Sequence, residues 1–267
     1  MNSPQELSGK VVVITGASMG IGEAMAKLFA DRGASVVLLS RDLGRAEQAR
    51  ARIGHSERTL ALACDVRRRE EIDQVVNFTV RQFQRIDIWI NNAGHGIMDS
   101  IATVDLAACR ETFETNFFGT VAAMQAVVPV MKQQGSGAIV NISSVAGHVP
   151  VPFMGMYSAT KFAMNAAGKA ARIELKKFGI NVLTVCPGYV RTDFGANAIH
   201  GEEVKQVRPD AVRGISVERV AKAVLHGYLS GKREVIVPWT MIPVIKLYQL
   251  FPAVVERTMA RMSRERK

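Results

Sequence analysis

The stretch Lys10-Val11-Val12-Val13-Ile14-Thr15-Gly16-Ala17-Ser18-Met19-Gly20-Ile21-Gly22 reads as a buried strand that passes through a glycine-rich turn into a helix. Four consecutive β-branched residues, Val11 to Ile14, suit the interior of a parallel sheet, where both faces are covered and a strand is apolar throughout. Glycines let the backbone turn tightly and approach a pyrophosphate, and the helix that opens after them offers free N–H groups and a positive dipole end. Three residues separate the first two glycines, unlike the commoner GxGxxG. Alone, the stretch is either a nucleotide-binding turn or a plain strand-to-helix turn, and the rest of the chain has to choose.

Outward from this stretch, short β-branched runs alternate with longer segments whose apolar residues recur every three or four positions. The strands expected are Lys10 to Thr15, Ser35 to Leu39, Thr59 to Ala63, Ile86 to Ile90, Ala138 to Ile142, Asn181 to Val185 and Glu234 to Val237. Helices are expected over Ile21 to Arg32, Gly44 to Ile53, Glu70 to Phe83, Leu106 to Gln133, Met156 to Lys177 and Val217 to Leu229. This order predicts an α/β fold: a single-domain, Rossmann-like, doubly wound seven-stranded parallel sheet flanked by helices, with a C-terminal helical extension. The 267 residues suit one large domain, and no Pro/Gly/Ser linker or long repeat divides them. Residues 1–237 are expected to form the dinucleotide-binding domain, with 189–215 as an irregular loop over the substrate site, and residues 238–267 an amphipathic extension of it.

Hydrophobic residues make up 48% of the chain and charged residues 22%, a balance that builds a core and excludes a disordered tail as the main story. The net charge of +10 favours anionic partners. The basic residues are scattered, with Arg67, Arg68 and Arg69 the only triplet, and only 6% of residues are aromatic, so nucleic acid is not an expected partner. Cys64, Cys109 and Cys186 stand apart without CxxC or Cys/His spacing, which predicts neither a disulfide framework nor a metal site and points to a reducing compartment. The polar opening Met1 to Lys10 predicts no secretory leader, and a cytoplasmic chain. Beyond residue 237, Leu247, Phe251, Val254, Val255, Met259 and Met262 are expected on one side of a helical pattern, with Lys246, Arg257, Arg261 and Arg264 elsewhere. Such a stripe with a basic flank suits peripheral contact with a membrane surface, while Pro238, Pro243, Pro252 and Lys246 interrupt it too often for a span. The competing expectation is an arm packed across a homo-oligomer or over the substrate mouth.

Further motifs accompany the glycine turn. They are Asp65-Val66 after the third strand, Asn91-Asn92-Ala93-Gly94 after the fourth, Asn116 in the following helix, Ile142-Ser143-Ser144 after the fifth, Tyr157-Ser158-Ala159-Thr160-Lys161, and Pro187-Gly188 with Thr192 after the sixth. In this order and spacing they resemble the short-chain dehydrogenase/reductase family, over about Leu7 to Val237. The resemblance implies an oxidoreductase that interconverts a ketone or aldehyde and an alcohol by hydride transfer, with Asn116, Ser144, Tyr157 and Lys161 as its catalytic set. Tyr157 and Lys161, four apart on a helix, share a face. A phenol with a pKa of about 10 is little ionised at neutral pH, and an ammonium beside it stabilises the phenolate, so Lys161 is expected to tune Tyr157 as proton donor and acceptor. Ser144 lies thirteen residues before Tyr157, the separation the family uses, and is preferred to Ser143 as the hydroxyl that orients the substrate oxygen. Asn116 matches the family's helix asparagine, which holds a water linking Lys161 to solvent. Each has a plainer reading alone: a cap for Ser144, a satisfied buried amide for Asn116, a core aromatic for Tyr157.

Hydride has to come from a cofactor, because no side chain donates one. The resemblance implies a bed in which Gly16, Gly20 and Gly22, with Ser18, Met19 and Ile21 of the same turn, line the pyrophosphate. Asp65 and Val66 would meet the adenine, Asn92, Ala93 and Gly94 the adenine-side ribose and strand packing, and Tyr157 with Lys161 the nicotinamide ribose. Pro187, Gly188, Val190 and Thr192 resemble the family's contacts around the nicotinamide. At the end of the second strand an acidic residue would favour a ribose 2′-hydroxyl and repel a 2′-phosphate. Ser40 stands there, followed by Arg41, whose guanidinium suits a phosphate dianion. The expected cofactor is therefore NADP(H), although Met19 fills a place where NADP-binding members often carry a basic residue and Asp42 can compete for Arg41. His95, Gly96 and Ile97, the run Val145 to Met154, and Tyr189 with Phe194 are the expected substrate walls. They are mostly apolar and suit a lipophilic carbonyl or alcohol substrate, with His95 and His148 either donating to its polar end or merely solvated. The long helices 106–133 and 156–177 resemble those that pair subunits in the family, so a homo-oligomer is expected. Two rivals stay open: a non-catalytic nucleotide-sensing or scaffold protein on the same fold, and an NAD-linked alcohol dehydrogenase.

Overall fold

In the computed structural model, which describes residues 6–201 and 214–264, seven strands lie side by side. Their order is β3 (Thr59–Ala63), β2 (Ser35–Ser40), β1 (Val11–Thr15), β4 (Ile88–Asn91), β6 (Gly137–Ile142), β7 (Ile180–Pro187) and β9 (Glu234–Val237). Every neighbouring pair is parallel. Alternate residues of each strand enter opposite cores, as a period of two requires. Val12 and Ile14 join Met25, Phe29 and Val224 on one face, while Val13 joins Trp89, Ile72 and Val127 on the other. Helices α1 (Gly20–Asp31) and α7 (Val217–Leu229) cover the first face, and α3 (Arg69–Phe83) with α5 (Gly119–Gln134) covers the second. Because β2 and β3 lie to one side of β1 and β4 to the other, the chain reverses direction across the sheet between β1 and β4. A crevice opens at the carboxyl ends of those strands, where doubly wound sheets bind ligands.

Three differences from the sequence expectations matter for the site. The helix expected over Leu106 to Gln133 is α4 (Leu106–Phe113), a π-helical turn at Glu114–Phe118, then α5. The axis continues, so apolar periodicity alone does not reveal the wider turn. Within the loop expected from 189 to 215, β8 (Ile199–His200) pairs with β5 (Ile97–Met98), and Val190 bridges to Ile215. Residues 202–213 of that loop lie outside the described residues. The C-terminal extension forms two helices, α8 (Met241–Leu250) and α9 (Pro252–Arg264), rather than one pattern. Val255 and Met259 pack inward, but Leu247, Phe251 and Val254 are exposed, so the expected single stripe is split between two directions. Met262 has no described side chain.

At the opposite end of the sheet, Asp87 joins β1 to the start of β4. Its carboxylate accepts from the Val11 N–H at 2.9 Å, from Lys10 Nζ at 3.1 Å and from Arg85 at 2.6 and 2.7 Å. Burial pushes this carboxyl up, but the hydrogen bonds from Arg85, Val11 and Lys10 together outweigh it and hold it below its ordinary value of 3.8. A carboxylate depressed in this way stabilises the fold above its unfolded pKa, and the contribution is lost as pH falls through the folded value. Asp87→Ala is therefore expected to lower unfolding stability by about 2 kcal/mol at neutral pH. In urea unfolding, the difference from wild type should shrink below pH 3.8.

Candidate active site

The crevice is held by Thr15, the last residue of β1. Its hydroxyl accepts the N–H groups of Asn92 and Ala93, each at 2.9 Å, and donates to Ile90 O at 3.3 Å. Asn92 returns the contact, its amide nitrogen donating to the carbonyls of Thr15 and Gly16 at 3.0 and 2.9 Å. The glycine turn is thus bonded to the loop after β4. Gly20 sits at φ +59 beside Thr192, and a Cβ on Gly22 would collide with the Gly16 carbonyl oxygen, so neither position tolerates a side chain. No side chain caps α1 at Met19, and its leading end opens on a cavity lined by Gly16, Ser18, Met19, Gly20 and Ile21. Uncapped helical N–H groups beside room of about 2070 Å³ fit a dinucleotide phosphate together with a second ligand.

The same cavity is lined further on by Ser40, Arg41, Val66, Asn92, Ala93 and Gly94, then by Ser144, Tyr157 and Lys161, and by Pro187, Gly188, Val190 and Thr192. The sequence-predicted residues Gly22, Asp65 and Asn116 do not line it. Gly22 packs behind the turn, and the Asp65 carboxylate is gripped by Arg67 at 2.6–3.0 Å. Asn116, fully buried in the π-helical turn, accepts from the His95 N–H at 3.0 Å and donates to His95 O at 2.9 Å and to Thr160 Oγ1 at 3.2 Å. Its side chain thereby braces the loop after β4 against the helix that carries Tyr157. That helix is α6 (Gly155–Leu175).

Tyr157 and Lys161 are both buried, one turn apart. Ser144 caps the short turn after β6, accepting from Ala146 N–H at 3.0 Å and donating to Pro187 O at 3.5 Å, and its hydroxyl acts to lower the Tyr157 phenol. Ser143 instead faces Lys161 O at 3.5 Å and the Cys186 thiol, and of the two hydroxyls Ser144 is the one that acts on the phenol. Lys161 Nζ donates to Ile142 O at 3.0 Å and stands 5.7 Å from the centre of the Tyr157 ring. Burial pushes Tyr157 up to about 12, against the opposing pull of Ser144. It also pushes Lys161 down to about 8. In the protein alone the phenol is raised rather than lowered: desolvation acts on both groups and favours their neutral forms.

At the far end the walls are apolar, with Met98, Val145, Val151, Phe153 and Met154 facing Phe194, whose ring meets Tyr157 edge-on at 5.4 Å. Gly96 and Ile97 pack behind this wall rather than lining it, while His95 lines it with a buried Nε2 that has no partner among the described residues. His148, expected as a loop donor, is buried behind the wall, 3.5 Å from Cys186 Sγ and 3.2 Å from Glu234 Oε1. These three offer ligand atoms within 4.8 Å of one another, but burial and the Glu234 carboxylate push the Cys186 thiol up to about 12, which keeps it protonated. Sequence reasoning missed Thr15, whose signal was a hydroxyl at the strand end before the glycine. It also did not single out Met241 of α8, which reaches the cavity from the C-terminal extension, one of whose expected places was over the substrate mouth.

Residues 10–203 match the family model described as short chain dehydrogenase. The chain is 33% identical, in an alignment 272 residues long that covers 97% of this chain and 87% of the relative, to dehydrogenase/reductase SDR family member 7B of Danio rerio. It is 35% identical to an uncharacterized oxidoreductase of Staphylococcus saprophyticus over 202 residues, 75% of this chain and 86% of that one. The crystal structure of a short-chain dehydrogenase from Streptomyces avermitilis superposes with a TM-score of 0.83 at 28% identity, covering 97% of this chain and 99% of that one. A short chain dehydrogenase/reductase from Burkholderia phymatum, solved in complex with NAD, gives 0.83 at 22% identity over 93% and 96% of the two chains.

A lysine at about 8 in the fold and 10.5 when unfolded leaves the folded protein with fewer protons between those values, so stability rises with pH across that window. Lys161→Met removes this titration. In urea unfolding, wild type is expected to gain on the variant between pH 8 and 10.5 by on the order of 2–3 kcal/mol, and a difference independent of pH would show Lys161 to be unperturbed.

Proposed function

Because this chain belongs to the short-chain dehydrogenase family, we propose that it is an NADP(H)-dependent oxidoreductase that interconverts a lipophilic ketone or aldehyde and its alcohol. The observation that carries this reading is the convergence, in one cavity, of an uncapped glycine-rich helix start with a buried tyrosine, a serine hydroxyl and a buried lysine. A bound nicotinamide would supply or accept the hydride. Ser144 donates a hydrogen bond to the substrate oxygen and orients it beside the phenol. Tyr157, pushed up to about 12, keeps its proton across the physiological range and delivers it to that oxygen as the carbonyl carbon is reduced. Lys161, at about 8, is poised to return a proton to the tyrosine or relay one away. In the oxidative direction each step reverses.

The preference for a 2′-phosphate rests on the end of β2. Asp42 does not take Arg41: its carboxylate accepts the Arg45 N–H at 3.1 Å and caps α2 (Leu43–Ile53). The acid nearest the turn, Glu23, is held by Arg52 at 2.7 and 3.0 Å. Arg41 and Arg45 line the cavity beside the buried Ser40 hydroxyl, so the region is cationic where an NAD-preferring site would be acidic. The same reading includes a homo-oligomer formed through helices that leave Phe118, Phe162 and Ile173 exposed. Its compartment is reducing, the cytoplasm, where three buried free cysteines are at home.

Fluorescence titration with NADPH and NADH tests the cofactor, with tighter NADPH binding expected. Arg41→Ala should weaken NADPH by about tenfold to a hundredfold, the worth of a charge-assisted hydrogen bond, and leave NADH unchanged. Stronger binding of NADH by wild type would overturn the assignment. Tyr157→Phe should retain NADPH affinity within a few-fold and lose about a thousandfold or more of turnover on lipophilic ketones. Full turnover in that variant would remove the tyrosine from the chemistry.

A further inference from the structure

Helix α8 is apolar on both sides yet packs only one of them. Met241, Ile245 and Tyr248 face inward with Val255 and Met259 of α9, and pack on Val145 of the cavity wall and on the buried Val149. On the opposite side, Pro243, Leu247 and Leu250 recur at spacings of four and three and meet solvent, with Leu250 71% exposed. Phe251 at the joint is 59% exposed, Val254 52%, and Trp239 just before α8 is 68% exposed. A helix that is apolar all round belongs in a core or against a nonaqueous phase, and among the described residues nothing covers this outer side.

The charges around the patch decide what fits it. Lys246, Arg257 and Arg261 are exposed on the same two helices, and from Trp239 to Lys267 the sequence has six lysines and arginines against two glutamates. A second copy seated across a two-fold axis would bring these cations against their own counterparts, which disfavours an isologous contact. A surface that is apolar beneath and anionic around accepts both features at once. No described helix is long and apolar enough to cross a membrane, so the contact is one of lying on the surface.

We propose that the outer face of α8 and the start of α9 docks on a bilayer containing anionic lipid, with Trp239, Leu247, Leu250, Phe251 and Val254 entering the headgroup boundary and Lys246, Arg257 and Arg261 meeting the phosphates. The face adjoins the substrate end of the cavity, because Met241 lines that cavity and a second groove of about 390 Å³ runs from Tyr248 and Met259 to Val151, Pro152 and Phe153, which border both spaces.

The chain carries two tryptophans, and Trp89 is fully buried, so Trp239 reports on this face. The full chain would be mixed with vesicles of phosphatidylcholine alone, or with about one-third phosphatidylglycerol, and followed by co-sedimentation and by quenching from bromine-labelled lipid. Expected are binding to the anionic vesicles, quenching and a blue shift of Trp239, and at least about tenfold weaker partition for phosphatidylcholine alone or for anionic vesicles in high salt. Leu250→Glu with Phe251→Glu should abolish quenching while NADPH titration stays as in wild type. If that pair does not fold, Lys246→Gln with Arg257→Gln and Arg261→Gln, all at exposed positions, should weaken partition by about tenfold or more. Absence of partition and of any Trp239 change on anionic vesicles overturns the proposal. So does a wild-type oligomer that Leu250→Glu with Phe251→Glu converts to monomers in analytical ultracentrifugation without any vesicle binding to lose, since a second copy then covers the face. None of these outcomes depends on whether a substrate is turned over.

Discussion

One hydroxyl closes the crevice on which the remaining site depends. Thr15 ends β1 and accepts two backbone N–H groups of the segment that leaves β4, at the point where the chain reverses direction across the sheet. Both N–H groups lie where the parallel ladder has ended and would otherwise need water or a ligand. With them satisfied, Asn92 is free to fold back on the carbonyls of the glycine turn, and Ala93 approaches Gly16 closely enough that a Cβ there would clash. The turn can then present backbone rather than side chains to the cavity, and the loop after β4 can carry His95 to Asn116. Asn116 in turn braces that loop against Thr160, one residue before Lys161. A chain of short polar contacts thereby fixes the separation between the glycine turn and the tyrosine helix.

Within that frame, burial sets the electrostatic character of the chemistry. Tyr157 and Lys161 share a low-dielectric pocket in which each favours its neutral form, the phenol upward and the amine downward. Ser144 works against the burial of the phenol, and the Ile142 carbonyl accepts a hydrogen bond from the ammonium. Acid–base pairs whose environments move them in opposite directions can hand a proton along without either holding it too tightly. The apolar wall around Phe194 maintains that low dielectric and would do so whichever hydrophobic substrate filled it.

The sheet was legible in the sequence because parallel strands buried on both faces leave nearly continuous β-branched runs. The glycine turn and the Tyr157/Lys161 pair were legible because their meaning lies in local spacing. What escaped depends on three-dimensional neighbours. A π-helical turn inserts no residue type that breaks the pattern, so the sequence places Asn116 on an ordinary helix and gives no sign that its amide binds His95 and Thr160. His148 does lie in the turn after β6, but its burial escaped because its partners, Cys186 and Glu234, arrive from two other strands. Val254 and Val255 are adjacent and equally apolar, yet one faces water and the other the core, a choice made by the break at Phe251. Asp42 beside Arg41 suggested an ion pair by proximity, but helix capping claimed the carboxylate first.

Helix α8 is a wall one helix thick, with Met241 in the cavity on one side and Leu250 at the exterior on the other. A rod about 10 Å across, packed without slack against Val145 and Val149, moves as a unit rather than compressing. Its outer and inner surfaces are therefore mechanically the same coordinate: a lateral force at the exterior becomes a change in cavity width, with no relay of side chains between them.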